Sequence, residues 1–300
     1  MSVAWRNDAR RTASRNDAHE IASANDARGI VSEKAARKTA SGNGARRIVV
    51  RPLRTLDDFA AAQALAQRVW GFADLQTPST FDLQVVSHVG GLTAGAFAGR
   101  ELVGFVHGLP RTDLGFPCHH SHLLAVSRAH RGRGLSVRLK LFQRRWCLDR
   151  GIRRVTWTYD PLLVTNARLN LVRLRARARV FLPNVYGELG GIYGALPTDR
   201  FEVLWSLDAA EVGRAARGAA PEPRGADRLP RFAGGRPPRA SRVAVEIPAG
   251  APGLYESDPA SARRARLRLR RVARDLFARG YEAVSIVSLG DDSALYVFER

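Results

Sequence analysis

The spacing of apolar positions along the chain changes several times, and each change marks an element. Residues 48–50 form a short β-branched run. Thr55 followed by Asp58 has the spacing of a capping box, and it opens a predicted helix with Leu56, Phe59, Ala62, Ala66 and Val69 on one face. Residues 92–98 and 102–107 read as strands, and Gly99-Arg100 between them predicts a hairpin. A third strand, 121–127, runs into a basic, glycine-containing stretch, 128–134. Beyond it Leu135, Leu139, Phe142 and Trp146 recur at helical spacing until Gly151 supplies a stop. Residues 155–159 predict a strand, 166–174 a short helix and 203–207 a late strand.

On either side of this block the pattern differs. Residues 6–14, 15–23 and 24–32 repeat one nine-residue motif, with Ala9, Ala18, Ala27, Ala36 and Ala45 keeping register. Nine residues advance a helix by about two and a half turns, so no apolar stripe forms, and residues 1–47 read as a disordered arm. Pro221, Pro223, Pro230, Pro237 and Pro238 mark residues 209–240 as a linker. Residues 241–300 read as a small strand-helix-strand-strand unit: strands at 243–247, 283–289 and 294–298, and a helix at 259–279. In that helix Leu269, Val272, Ala273, Leu276 and Phe277 share a face, while Arg263, Arg264, Arg266, Arg270, Arg271 and Arg274 lie largely elsewhere.

Composition adds three points. In 300 residues, 48 Lys+Arg oppose 28 Asp+Glu, a net charge of +20, and the hydrophobic share of 45% suffices for a core. The basic excess is nearly all arginine, since Lys34, Lys38 and Lys140 are the lysines. Because that charge is spread along the chain, coding bias accounts for it more simply than a nucleic-acid footprint, which stands as the alternative. Cys118 and Cys147 are too few for a disulfide framework. With no membrane-length apolar run and no signal-peptide pattern, the expectation is a cytoplasmic protein with no membrane partner.

The stretch Arg131, Gly132, Arg133, Gly134, Leu135, Ser136 stands between a strand and an amphipathic helix. There, glycine lets a phosphate approach backbone N–H groups at a helix amino end, and two arginines add charge. The pattern is neither a Walker loop nor a Rossmann fingerprint. It resembles the acetyl-CoA pyrophosphate loop of the GNAT superfamily of N-acetyltransferases. Ser121-His122, residues 157–162, Asn166-Ala167 with Asn170, and residues 184–187 and 197–201 ending in Trp205 resemble a bacterial branch of predicted members of that superfamily. The resemblance covers about residues 48–207. It implies an α+β fold, a mixed, mostly antiparallel sheet splayed between strands 123–127 and 155–159 and flanked by helices. It also implies acetyl-CoA as co-substrate, with pantetheine along the backbone of Ala125, Val126 and Ser127, the pyrophosphate on residues 131–136 and Asn166 at the pantetheine arm. The activity implied is N-acetyl transfer by direct attack of an amine, on a small molecule or a protein. A catalytically inactive acyl-CoA-binding module is the alternative. This chain departs from the pattern at Ser136 and Arg175, where relatives carry small residues, and at Arg173, where many members carry an acidic tyrosine.

Acyl transfer to an amine needs a base, an oxyanion donor and a proton for the leaving thiolate. Asp160, at the expected strand end, is a candidate base or amine ligand, or else simply opens a turn with Pro161. His122 is a candidate base because a histidine side chain can take up and release a proton, and its alternative is a core-facing imidazole. Tyr186 and Tyr193 are candidate proton donors or packing residues. Asp199 and Arg200 are candidate substrate contacts, or partners of one another. Cys118, His120 and His122 alternate along one strand, but a zinc site there has no visible support and no metal is expected.

Overall fold

The computed structural model describes residues 47–71, 77–187, 196–219, 225–235, 239–250, 255 and 257–300. Apart from Arg47, the repeat arm lies outside the described residues. In chain order the elements are β1 (Ile48–Pro52), α1 (Leu56–Trp70), α2 (Thr80–His88), β2 (Leu92–Ala98), β3 (Glu101–Arg111), β4 (Cys118–Val126), α3 (Leu135–Leu148) and β5 (Arg154–Tyr159). There follow α4 (Val164–Ala167), continued by a π-helical turn (Arg168–Arg173), then β6 (Arg177–Leu182), β7 (Arg200–Ser206), α5 (Ala210–Ala216), β8 (Arg242–Pro248), α6 (Pro259–Ala278), β9 (Glu282–Ser288) and β10 (Ser293–Glu299). The strands form one sheet in the order β1-β2-β3-β4-β5-β7-β6-β9-β10-β8. Every neighbouring pair is antiparallel except β4 and β5, which run parallel. This is an α+β fold with helices flanking a mixed, mostly antiparallel sheet.

Local chemistry explains the helix entries. The Thr55 side chain accepts from the Asp58 N–H and the Asp58 carboxylate reaches back to the Thr55 N–H, completing the capping box. Asp58 also takes both arms of Arg51, at 2.7 and 2.8 Å, which fastens the start of α1 to β1 and lowers the carboxyl to about 2. The face α1 buries is Phe59, Ala62, Leu65, Ala66 and Trp70, whereas Leu56, expected on that face, is 63% exposed. Gly71 closes the helix in the left-handed region, which glycine adopts without penalty.

The segment expected as a linker is partly built into the fold, since α5 buries Val212 and the following stretch buries Phe232. The final strand-helix-strand-strand unit joins the same sheet through Ala178 opposite Ala283. It also shares a core, where Phe201 of β7 meets Phe277 of α6 edge-on at 5.1 Å and packs on Tyr296 of β10 at 5.5 Å. Two arginines that the sequence places on the polar side of α6 are drawn inward. Arg266 donates to Asp160 at 2.7 and 3.2 Å, and Arg270 donates to Asp199 at 2.6 and 3.0 Å. Burial alone would push the Asp160 carboxyl up, yet Arg266 and Arg200 hold it below the ordinary range.

Arg175 follows the π-helical turn at φ +57°, a left-handed conformation that costs a non-glycine residue about 1 kcal/mol. Arg175→Gly is therefore expected to stabilise the protein by roughly that amount in urea denaturation, and no gain would show that its side-chain contacts offset the strain. Asp160→Asn leaves Arg266 buried against a neutral amide, and a loss of about 3 kcal/mol or more is expected in the same assay. A loss below 1 kcal/mol would contradict a fixing role for this ion pair.

Candidate functional site

The parallel contact between β4 and β5 lasts three rungs, Cys118 opposite Arg154, His119 opposite Val155 and His120 opposite Thr156. Beyond them the two strands separate. On its other edge β4 carries a bulge, because His107 faces Leu123 and Gly108 faces Ser121, which leaves His122 as the extra residue. A bulge bends the strand and re-aims its side chains. Ordinary alternation along β4 before the bulge places His119 and Ser121 against Gln143 and Lys140 of α3, and His120 and His122 beside His107 on the opposite face. A wedge opens between β4 and β5, roofed by Asn166 of α4 and by Asn170, whose Oδ1 accepts from Trp157 Nε1 at 3.2 Å.

At the wide end lies a cleft of about 320 Å³, walled by Val126, the 130–137 loop and helix start, and Thr165, Leu169 and Arg173 opposite. Gly132 and Gly134 adopt φ of +71° and +72°, and no atom lies within 4 Å of where a Cβ would stand on either. The N–H groups of Leu135, Ser136 and Val137 belong to the first turn of α3 and have no helical acceptor, so the loop presents an anion cradle. Arg131 donates from Nε to Val126 O at 3.2 Å, which ties the loop to the end of β4.

Of the residues singled out for the cofactor, Val126, Arg131, Gly132, Gly134, Leu135 and Ser136 line the cleft. Asn166 lines a smaller cavity deeper in the wedge. Arg133 is exposed, Ala125 is buried, and the Ser127 N–H is committed to Val103 O at 2.9 Å.

The face of the sheet opposite α3 carries the titratable groups. His107, His120 and His122 stand with ring centroids 6.1 and 6.3 Å apart, and His107 Nδ1 and His120 Nδ1 contact the hydroxyls of Thr93 and Thr156 at 2.8 and 3.2 Å. Burial, with help from neighbouring positive charge, pushes His107 well below the ordinary range and His120 to about 3. Beside them Arg111 reaches Glu202 of β7, and Asp113 at 2.8 Å. Tyr186 OH lies 2.7 Å from Thr158 Oγ1 at the end of β5. Among the described residues, no three His, Cys, Asp or Glu side chains converge as metal ligands.

Three sequence expectations are redirected by this geometry. Asp160 is fully enclosed and bonded by Arg266, by Tyr255 OH at 3.1 Å and by the Leu162 N–H at 3.0 Å, so it is a sealed ion-pair partner with no access for an amine. Asp199 is buried and held by Arg270 and by the Asn184 N–H, and Arg200 is fully buried 3.7 Å from Asp160, so neither presents itself to a substrate. Tyr193 lies outside the described residues. Sequence reasoning passed over His107, the Arg111–Glu202 pair and Lys140. For Lys140 a signal existed: it is a lysine on a helix of a chain whose other cations are nearly all arginine.

Residues 64–168 match the family model "Acetyltransferase (GNAT) family". That span runs from α1 through the loop and α3 to the start of the π-helical turn, and so contains β4, β5, the loop and Asn166 but not the wall residues Leu169, Asn170 and Arg173. No curated protein sequence is significantly similar to the chain. Among solved structures, the Escherichia coli ribosomal-protein-S18-alanine N-acetyltransferase is 16% identical, covers 55% of this chain and 96% of its own, and has a TM-score of 0.44. Arabidopsis thaliana NAA60 in complex with a bisubstrate analogue is 16% identical over 53% and 97%, with a TM-score of 0.45. A Salmonella typhimurium putative acetyltransferase with its cofactor acetyl-CoA is 15% identical over 54% and 95%, with a TM-score of 0.45. Among the described residues no helix is long and apolar enough to cross a membrane.

The buried histidines make stability acid-sensitive. Burial above all pushes His119 down to about 3. An unfolded histidine protonates near 6.5, so below that pH the unfolded state binds a proton the native state refuses. The stability this contributes is complete above about 6.5 and falls by up to about 1.4 kcal/mol per pH unit toward 3. His119→Gln is expected to flatten the decline in urea-denaturation stability between pH 6.5 and 5 by close to that slope, and an unchanged decline would contradict a neutral His119.

Proposed function

We propose that the chain is an acetyl-CoA-dependent N-acyltransferase that moves an acetyl group to an amine by direct attack on the thioester. The observation that carries this reading is the wedge between β4 and β5, which begins after three paired rungs and opens toward a glycine loop at the amino end of α3. A long, flexible, diphosphate-bearing thioester suits that shape. The diphosphate sits on the N–H groups of residues 134–137, with Arg131 and Arg173 supplying charge from either wall. The open space beside Gly132 and Gly134 admits phosphate oxygens close to the backbone. The pantetheine arm follows the wedge past Asn166 toward the bulge, so the thioester stops beside Ser121 and His122.

The acceptor amine approaches on the side of β4 opposite α3. It must be neutral to attack, and His122, the bulge residue of β4, would take its proton as general base. Near neutral pH the depressed His107 and His120 are uncharged and do not repel the imidazolium that forms. The acidic Glu202 and Asp113 lie on the same side and favour a cationic substrate, although Arg111 neutralises part of their charge. Tyr186, bonded to Thr158 at the end of β5, is the candidate donor for the leaving thiolate in place of the residue at Arg173.

Acetyl-CoA is expected to raise the thermal midpoint of the protein, with a stabilisation of about 2.7 kcal/mol at a hundredfold excess over Kd. Gly134→Glu, which places a like charge and a Cβ in the cradle, is expected to abolish that rise, and His122→Ala to keep it while reducing thiol release with amines by about a hundredfold or more. A wild-type midpoint unmoved by acetyl-CoA, or binding retained by Gly134→Glu, would overturn the assignment.

A further inference from the structure

Lys140 is a buried charge-bearing residue that the proposed reaction does not use. It stands on the second turn of α3, is 2% exposed and has no carboxylate among its described partners. Its Nζ contacts Ser121 Oγ at 2.8 Å and Gln143 Oε1 at 3.2 Å, and lies 3.6 Å from the centroid of the Trp157 ring. Gln143 is itself held, with its Nε2 3.0 Å from His119 Nε2. A serine hydroxyl, an amine and a third group that orients the amine thus form one connected string inside the protein. Burial lowers the lysine well below its ordinary range and so favours the neutral amine, whose lone pair can accept the Ser121 hydroxyl proton across the same 2.8 Å contact.

Placement gives the string its significance. Ser121 and Lys140, with Trp157, Asn166 and Asn170, line a cavity of about 10 Å³ at the narrow end of the wedge, and this cavity shares Leu169 as a wall with the large cleft. That volume is room for one water, and the acyl tip of a thioester reaching the end of the wedge would take its place. Ser121 also precedes the bulge residue His122, so its hydroxyl sits where β4 turns away from β5.

From this geometry we infer that Ser121 and Lys140 form a serine–lysine dyad that accepts the acyl group, making an O-acylserine on the enzyme beside the direct route. The inference rests on the wedge being the thioester site. In the first step Ser121 Oγ bonds to the acyl carbon and the C–S bond breaks. The hydroxyl proton passes to Lys140 Nζ and from there to the departing thiolate, which leaves O-acetylserine and free CoA thiol. In the second step an amine forms the C–N bond, the C–O bond breaks, and the proton shed by the amine returns through Lys140 to Oγ. Gln143 acts as a positioning residue that keeps Nζ aimed at the hydroxyl.

The test is to incubate the full chain with acetyl-CoA and no amine, follow thiol release, and map any adduct by peptide mass spectrometry before and after hydroxylamine, which cleaves esters and leaves amides. The dyad predicts a burst of about one thiol per protein, one acetyl group on Ser121 that hydroxylamine removes, no burst in Ser121→Ala, and a burst slowed about a hundredfold or more in Lys140→Met. Acetyl-CoA-dependent thermal shifts are measured alongside. Binding without an adduct in the wild type overturns the dyad and leaves the cofactor site standing. A hydroxylamine-stable adduct on Lys140 also overturns it, since the lysine is then an acceptor. Absence of binding overturns the cofactor site and the dyad together. Because the wild-type adduct decides the matter, a Ser121→Ala protein that fails to fold does not obscure the result.

Discussion

Two strands that begin as partners and then part company determine what this molecule can do. If β4 and β5 stayed paired beyond His120 and Thr156, the sheet would be continuous and no chain-like ligand could enter it. Separation leaves backbone groups on both facing edges without sheet partners, and such groups are costly when buried unless something else bonds them. An extended molecule with amides along its length is suited to that role. The bulge at His122 and the turn of residues 128–134 belong to the same device, because one bends β4 away from β5 and the other reverses the chain so that α3 starts at the mouth of the gap.

A gap in a sheet needs rigid walls, and the far wall is reinforced from distant sequence. β5 is backed by β7, β7 by β6, and β6 by the unit formed from β8, α6, β9 and β10. Asp160, where β5 ends, is clamped by Arg266 from α6, while Phe201 of β7 is packed among Phe277, Tyr296 and Phe298. Breaking a buried ion pair is costly, and that cost holds the last unit in its place. The tail is thus part of the site's scaffolding, and the arginines it spends on Asp160 and Asp199 are removed from any surface that would attract a polyanion.

Much of this was legible in the sequence for local reasons. The α1 entry could be read because Thr55 and Asp58 satisfy each other within one turn, and the hairpin because Gly99-Arg100 joins two alternating runs. The loop could be read because its arginines and glycines between a strand and an amphipathic helix resemble a known family's pattern; the glycines alone would suit a tight turn equally well. What stayed hidden depends on contacts far apart in the chain. Asp160 and Arg266 are separated by 106 positions, so a sealed ion pair looked like an exposed strand-end acid. β6 was missed because Arg177 and Arg179 interrupt its apolar pattern, and each is answered by Glu282 of β9. α2 was missed although Ser79 and Asp82 make a second capping box, because Phe81, Val85 and Val89 remain exposed and its apolar residues mark no single buried face. Lys140 was passed over because helical spacing says only that it sits beside a core face, not that Ser121 waits across the interface.

Amide hydrogen exchange with and without acetyl-CoA tests the central claim most directly, because it reports which backbone groups the ligand covers. If the wedge is the cofactor site, exchange slows at residues 132–137 and along the β4 and β5 edges beyond His120 and Thr156, while α6 and β8 are unchanged. Protection confined to the arginine-rich helix α6, or none at the loop, would contradict it.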